Sequence, residues 1–296
     1  MVLDSSINFN GSGTIFNLPL SGGAPTTFVN LGSMLPVGGL FLPGNYGALA
    51  GSLLVAGLNT SSGVVDELLT VNASGVVTPL EMGQTASIFG DVALAPAGFD
   101  GVGGQVVLAD EDGDLYTLNT NGNVSELYGG DVGGLPFGVA FAPGDFGGFA
   151  GDLFFTDGST IEMMNAAGQT GLFADVILGY GQSGLRQIAF APAGFGAYGG
   201  DLFVSVSGSN AGGGTGGAVD VFNPAGQLVA ILAGSGTPFD PRGIYFPSDQ
   251  RVLISDSDPS ILSATPADFS PVPEPSAVLL MLPAAALVVW KRRRAH

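Results

Sequence analysis

The chain has 296 residues, of which 50 are glycine and 19 proline, and only 11% are charged. That much Gly and Pro excludes long helices, since both break helix interiors, while an apolar content of 46% excludes a disordered chain. A formal net charge of −18 excludes nucleic-acid binding, which needs clustered Lys and Arg, and a chain with no cysteine and its one histidine at position 296 has neither thiolate nor imidazole chemistry in its body.

In chain order, residues 14–29 read first as short strands around a Gly-rich turn (Thr14-Ile-Phe-Asn, then Thr27-Phe-Val). A phrase then recurs five times: Gly39-Leu-Phe-Leu-Pro-Gly-Asn-Tyr-Gly, Val92-Ala-Leu-Ala-Pro-Ala-Gly-Phe-Asp, Val139-Ala-Phe-Ala-Pro-Gly-Asp-Phe-Gly, Ile188-Ala-Phe-Ala-Pro-Ala-Gly-Phe-Gly and Ile244-Tyr-Phe-Pro-Ser. Its prolines, Pro43, Pro96, Pro143, Pro192 and Pro247, stand roughly 50 residues apart. A strand-like run follows each phrase, beginning at Leu53, Val106, Leu153, Leu202 and Val252. An Asn-x-x-Gly turn comes next in four units, at Asn72, Asn119, Asn165 and Asn223, and then a fourth apolar run such as Leu172-Phe173.

Four short strands per repeat predict a β-propeller. One four-stranded sheet cannot bury both faces alone, whereas radial stacking buries each sheet against its neighbours. The expected fold is therefore all-β: a five- or six-bladed propeller over 1–265, with blades near 38–84, 90–131, 135–178, 184–234 and 239–264. The fifth unit runs out near Ile261-Leu262, and 14–29 is expected to supply its missing strands and close the ring. A linker over 266–275 and a short transmembrane helix with a basic tail over 276–296 are expected to follow. The wording of the repeats resembles the NHL-type and gluconolactonase-type propeller superfamily across 14–264, a resemblance that implies fold more than function.

Candidate chemistry is sparse. Asp110, Asp157 and Asp256 follow the second strand of three units, with Gly57 and Ser207 in the other two. In NHL-like propellers that turn lies at the mouth of the central channel, so the resemblance implies carboxylates able to converge on a hard cation such as Ca2+. Asp also favours tight turns, where it bonds its own backbone. Asp110-Glu-Asp-Gly-Asp lacks the bidentate glutamate of a calcium loop and reads as a hairpin turn. Arg186 and Arg242 precede the first strands of adjacent units, where a guanidinium could grip a carboxylate or a sugar at the channel mouth, or neutralise nearby aspartates. Inner-strand starts otherwise offer glycine, Asp91 and Gln187. Gly212-Gly-Gly-Thr-Gly-Gly lacks the lysine and helix of a phosphate loop, and Gly181-Gln-Ser-Gly has no histidine partner.

The tail carries the most specific signal. Val272-Pro273-Glu274-Pro275-Ser276 precedes an apolar run, Ala277–Trp290, and the cluster Lys291, Arg292, Arg293, Arg294. As a helix the run spans roughly 21 Å, short of the ~30 Å hydrocarbon core, with Trp290 and the snorkelling cations at the cytoplasmic interface. This ordered triplet resembles the PEP-CTERM sorting signal of Gram-negative bacteria, which an exosortase recognises and processes near Pro-Glu-Pro. The resemblance implies export, an inner-membrane intermediate, and a final place on the cell surface or outside it. Met1-Val2-Leu3-Asp4-Ser5-Ser6 lacks the basic and apolar regions of a secretory signal, so a start upstream of Met1 is expected. The leading expectation is a non-catalytic surface propeller that binds surface polysaccharide or protein, with exosortase as its processing partner. A metal-dependent extracellular hydrolase or lactonase and a purely structural biofilm component are the alternatives.

Overall fold

The computed structural model describes residues 2–4, 13–17, 19, 24–59, 65–80, 89–110, 113–129, 138–178, 182–208, 216–233, 240–256 and 261–272. It is all-β, with a five-bladed propeller arrangement. A three-stranded N-terminal sheet holds β1 (Val2–Asp4), β2 (Thr14–Asn17) and β3 (Thr26–Asn30). Blade 1 holds β4 (Met34–Phe41), β5 (Leu53–Asn59), β6 (Val65–Val71) and β7 (Val77–Leu80). Blade 2 holds β8 (Phe89–Leu94), β9 (Val106–Asp110), β10 (Leu115–Leu118) and β11 (Val124–Tyr128). Blade 3 holds β12 (Val139–Phe141), β13 (Leu153–Asp157), β14 (Thr160–Met164) and β15 (Thr170–Asp175). Blade 4 holds β16 (Gln182–Phe190), β17 (Leu202–Gly208), β18 (Ala218–Phe222) and β19 (Leu228–Ala233), and blade 5 holds β20 (Pro241–Ser248), β21 (Arg251–Asp256) and β22 (Ile261–Ala264). Every ladder is antiparallel, and β4, β8, β12, β16 and β20 run side by side in turn, so the first strand of each blade lines the axis.

The repeated phrase works as a knob. After the first strand, the amide of Tyr46, Phe99, Phe146 or Phe195 bonds the carbonyl of the phrase's proline three residues earlier. That turn throws the fully buried aromatic ring across to the next blade. Phe99 packs with Phe155 and Met164 of blade 3, Phe146 with Leu202 and Val204 of blade 4, and Phe195 with Val252 and Ile254 of blade 5. Tyr46 does the same between blades 1 and 2, where its hydroxyl donates to the Leu118 carbonyl and accepts from the Val106 amide at 3.1 Å. Burying each ring contributes about 1.5–3 kcal/mol. The residue after the knob is left-handed: φ is 55° at both Gly147 and Gly196, and a Cβ there would lie 2.9 Å from Pro224 and 2.7 Å from Pro266 of the following blade. Glycine is needed for both the conformation and the space.

The Asn-x-x-Gly turns are built as read. The side-chain oxygen of Asn165 accepts the amides of Ala167 and Gln169, and Asn72, Asn119 and Asn223 repeat the pattern.

Two expectations about the ends need correction. The strands within 14–29 form no ladder with blade 5 among the described residues. They pair with each other and with β1, and Ile15 and Leu31 bury against Met34, Val55 and Leu69 of blade 1. The fold also continues past 265 into the expected linker. Thr265 and Asp268 form a capping box around Pro266, and Phe269 buries in the core between blades 4 and 5. The last strand, β23 (Ser270–Pro271), then pairs with β19 of blade 4 rather than adding a fourth strand to blade 5. The reason is packing: Phe269 meets Phe195 at 6.3 Å and Phe203 at 5.2 Å, and that anchor carries the chain onto the outer edge of blade 4.

Candidate functional site

The ladder registers define equivalent positions around the axis. Gly39, Val92, Val139 and Ile188 face the third residue of their second strands and Ile244 the fourth of β21, which begins one residue earlier, so Gly38, Asp91, Gly138, Gln187 and Gly243 stand at one level around the axis. Just before that level the first strands of blades 1, 2, 4 and 5 carry a β-bulge, at Val37, Gly90, Arg186 and Arg242. A bulge breaks the strict alternation of a strand and re-aims a side chain, and bulges recur beside functional sites.

At the axial level the interior is polar. Asp91 is 5% exposed, and its carboxyl is pushed up to about 7 by burial, against hydrogen bonds from the amides of Val92 and Val139 and from the Gln187 side chain. The Gln187 Oε1 accepts the Ile244 amide of blade 5 at 2.5 Å. Glycine at the other three positions gives this pair its room: a Cβ on Gly38 would sit 2.8 Å from the Asp91 Cα, one on Gly243 would lie 3.3 Å from the Gln187 Oε1, and one on Gly138 would collide with the Arg186 carbonyl. Hydroxyls on the second strands tie neighbouring blades at the same height. Thr156 accepts the Gly138 amide at 2.9 Å and donates to the Arg186 carbonyl of blade 4 at 3.1 Å, and Ser205 donates to the Gln187 carbonyl of its own blade at 3.1 Å and reaches the Arg242 carbonyl of blade 5 at 3.4 Å.

Arg242 is fixed where blades 4 and 5 meet. Its guanidinium pairs with the buried Asp240 at 2.6 Å, while the other Asp240 oxygen accepts from Ser207 Oγ at 2.6 Å and from the Gly208 amide at 3.1 Å. The Asp240 amide in turn donates to Asp256 at 3.1 Å. Arg186 occupies the equivalent bulge on the adjacent first strand, as its sequence position implied.

The structure does not bring Asp110, Asp157 and Asp256 together. They end second strands, roughly 4.8 Å further from the axis than the first strands, and on three separate blades. Among the described residues no three His, Cys, Asp or Glu side chains gather as a metal site. Asp110 is buried, burial pushes the Asp157 carboxyl up, and Asp256 supports Asp240. The register also places Val206, rather than Ser207, at the equivalent position of blade 4. Sequence reasoning missed Asp240, Thr156 and Ser205. The polar fourth residue in otherwise apolar second strands was a visible signal for the last two. Of the sorting motif, Val272 is described and donates its amide to the Val229 carbonyl at 2.9 Å. Pro273, Glu274, Pro275, Ser276, the apolar run and Lys291, Arg292, Arg293 and Arg294 lie outside the described residues. Among the described residues no helix is long and apolar enough to cross a membrane.

No protein-family model matches the chain, and no curated protein does. Solved structures are similar to it. The periplasmic gluconolactonase of Pseudomonas aeruginosa is 16% identical with a TM-score of 0.57, over 89% of this chain and 76% of that one. Virginiamycin B lyase from Staphylococcus aureus is 14% identical with a TM-score of 0.48, over 81% and 71%, and a streptogramin B lyase is 13% identical with a TM-score of 0.46, over 82% and 70%. At such identity the likeness to the gluconolactonase establishes the propeller fold alone.

Proposed function

We propose that the protein is an exported Gram-negative surface propeller, processed by an exosortase at its C-terminal signal, that binds surface polysaccharide where β16 and β20 meet. The observation that carries the binding reading is the pair of equivalent bulges bearing Arg186 and Arg242, with Arg242 held by the buried Asp240. A guanidinium fixed this way presents its remaining donors in a planar fork suited to sugar hydroxyls or to a single sugar carboxylate. A net charge of −18 opposes dense polyanions, so neutral or sparsely charged glycans fit best. The sorting reading is supported by the order of Pro273-Glu274-Pro275, the apolar run and the basic cluster in the sequence, which follow Val272 at the outer edge of blade 4.

The test is titration of the protein with a neutral polysaccharide, a sparsely uronate-substituted one and polygalacturonate. Binding of the first or second, weakened at least tenfold in Arg242→Gln, supports the reading. Binding that is unchanged in Arg186→Gln, Arg242→Gln and the double variant contradicts it. One observation favours a second reading as a lactonase-type hydrolase: a carboxylate and an amide, Asp91 and Gln187, meet on the axis. That reading requires a divalent cation to raise the Tm of wild type and not of Asp91→Asn, and no rise with Ca2+, Mg2+ or Zn2+ sinks it.

A further inference from the structure

After β22 ends at Ala264, residues 265–272 leave blade 5 and cross as a strap to the outer edge of blade 4. Three sets of contacts hold the crossing. The Asp268 carboxylate accepts from the Thr265 amide at 2.7 Å and from its hydroxyl at 2.8 Å, fixing the turn in which Pro266 packs over Gly196. Phe269 buries against Phe203 at 5.2 Å and Tyr198 at 6.0 Å. Ser270 and Pro271 lie opposite Ile231 and Ala230, and the Val272 amide donates to the Val229 carbonyl at 2.9 Å. Blade 4 has its own four strands, β16 to β19, inside the strap. Pro271 has no amide to give the ladder, so β23 is tied to β19 by few backbone bonds.

We propose that this strap is a releasable guard on the sorting signal, which must peel from blade 4 before the Pro-Glu-Pro region can be processed. The inference rests on the sorting reading above. Pro273 follows Val272 directly in the chain. An enzyme that grips an extended peptide does so through the peptide's main-chain groups, and the Val272 amide is already committed to Val229. Reach points the same way. At ~3.3 Å per residue, Val272 stands about 17 Å of extended chain from Ala277, where the apolar run begins. With the strap in place, a processing enzyme has to fit between the edge of blade 4 and the bilayer. Release of residues 265–272 adds roughly 26 Å of chain. A small unit bonded to one sheet edge opens at lower cost than the whole fold, so release leaves the propeller intact.

The first experiment is amide hydrogen exchange on the full chain, read by segment and corrected for intrinsic rate. Residues 267–272 are expected to exchange about tenfold or more faster than β18, by an opening insensitive to low denaturant, and faster again in Phe269→Ala with β18 unchanged. Exchange of 267–272 in step with β18 overturns a separable strap. The second experiment locks the strap shut. The chain has no cysteine, so Ala230→Cys with Pro271→Cys makes a single disulfide across paired positions, whose Cα spacing suits one. In an exosortase-bearing host the oxidised pair is expected to keep its full mass, while each single-cysteine variant is processed like wild type and reductant restores processing of the pair. Processing of the oxidised pair at the wild-type rate sinks the guard alone. A wild-type chain that is never processed refutes the sorting reading, and the guard with it.

Discussion

Replacing Phe146 with alanine tests the knob directly. The ring is fully buried and meets Phe190 at 4.8 Å, Phe154 at 5.5 Å and Phe173 at 5.9 Å, the first two edge to face. Phe→Ala in a core costs about 3–5 kcal/mol, since lost transfer energy adds to an incompletely collapsed cavity. Edge-to-face pairing adds about 0.5–1.5 kcal/mol per pair, and both neighbouring blades are stiff sheets that cannot close the gap. The upper part of the range, about 4–5 kcal/mol, is therefore expected. That is a large share of the 5–15 kcal/mol typical of a folded domain. Urea denaturation followed by tyrosine fluorescence and far-UV circular dichroism should show the midpoint falling with the slope preserved. Phe41→Ala, at a ring that is 59% exposed, serves as the control and should stay within about 0.5 kcal/mol of wild type. A loss below about 1 kcal/mol for Phe146→Ala, or one equal to that of Phe41→Ala, would refute the idea that these rings lock the blades.

Other outcomes follow from the same contacts. The Asp91 carboxyl sits at about 7 in the folded protein against 3.8 in an open chain, so the folded state holds the extra proton between those values. Stability should accordingly fall as pH rises from about 4 to 7 and level off above, by up to roughly 4 kcal/mol from this residue. Asp220 and Asp201, each raised to about 6 by burial, push the same way, and a chemical-denaturation series showing stability rising with pH over that window would contradict the assignment. Gly138→Ala should destabilise by more than about 2 kcal/mol in thermal unfolding, because its Cβ would meet the Ile188 amide nitrogen at 2.7 Å, where only backbone can give way. Asn165→Ala removes the acceptor for two turn amides and should cost about 1 kcal/mol. A cost near zero in calorimetry would mean that water replaces the bonds fully.

The propeller was legible because its repeat is spelled in residues with local consequences. Pro143-x-x-Phe146 writes a turn and a knob, and Asn165-x-x-Gly168 writes a capped hairpin, each within four residues. Features that depend on long-range packing were not legible. Ser270-Pro271 has the look of a linker, yet Phe269 anchors it to blade 4. The unit-by-unit equivalence of Asp110, Asp157 and Asp256 was real, but equivalence in a ring means separation around a circle rather than convergence. Asp91 and Gln187 were visible as the polar exceptions at inner-strand starts. Their meeting could not be read from a linear chain, because the two residues are brought together only by the curvature of the assembled blades. Asp240 looked like one aspartate among many until its burial beside Arg242 distinguished it.

The fate of the tail tests the account of a sorted surface protein most directly. The chain would be expressed behind a signal peptide in an exosortase-bearing Gram-negative host, the cells fractionated, and the mature protein weighed by intact-mass spectrometry. The account predicts a surface or extracellular species lacking the mass beyond the Pro273-Glu274-Pro275 region, and full-length protein in the inner membrane when those three residues are replaced by alanine. A wild-type protein that keeps its whole tail and stays in the inner membrane would contradict it.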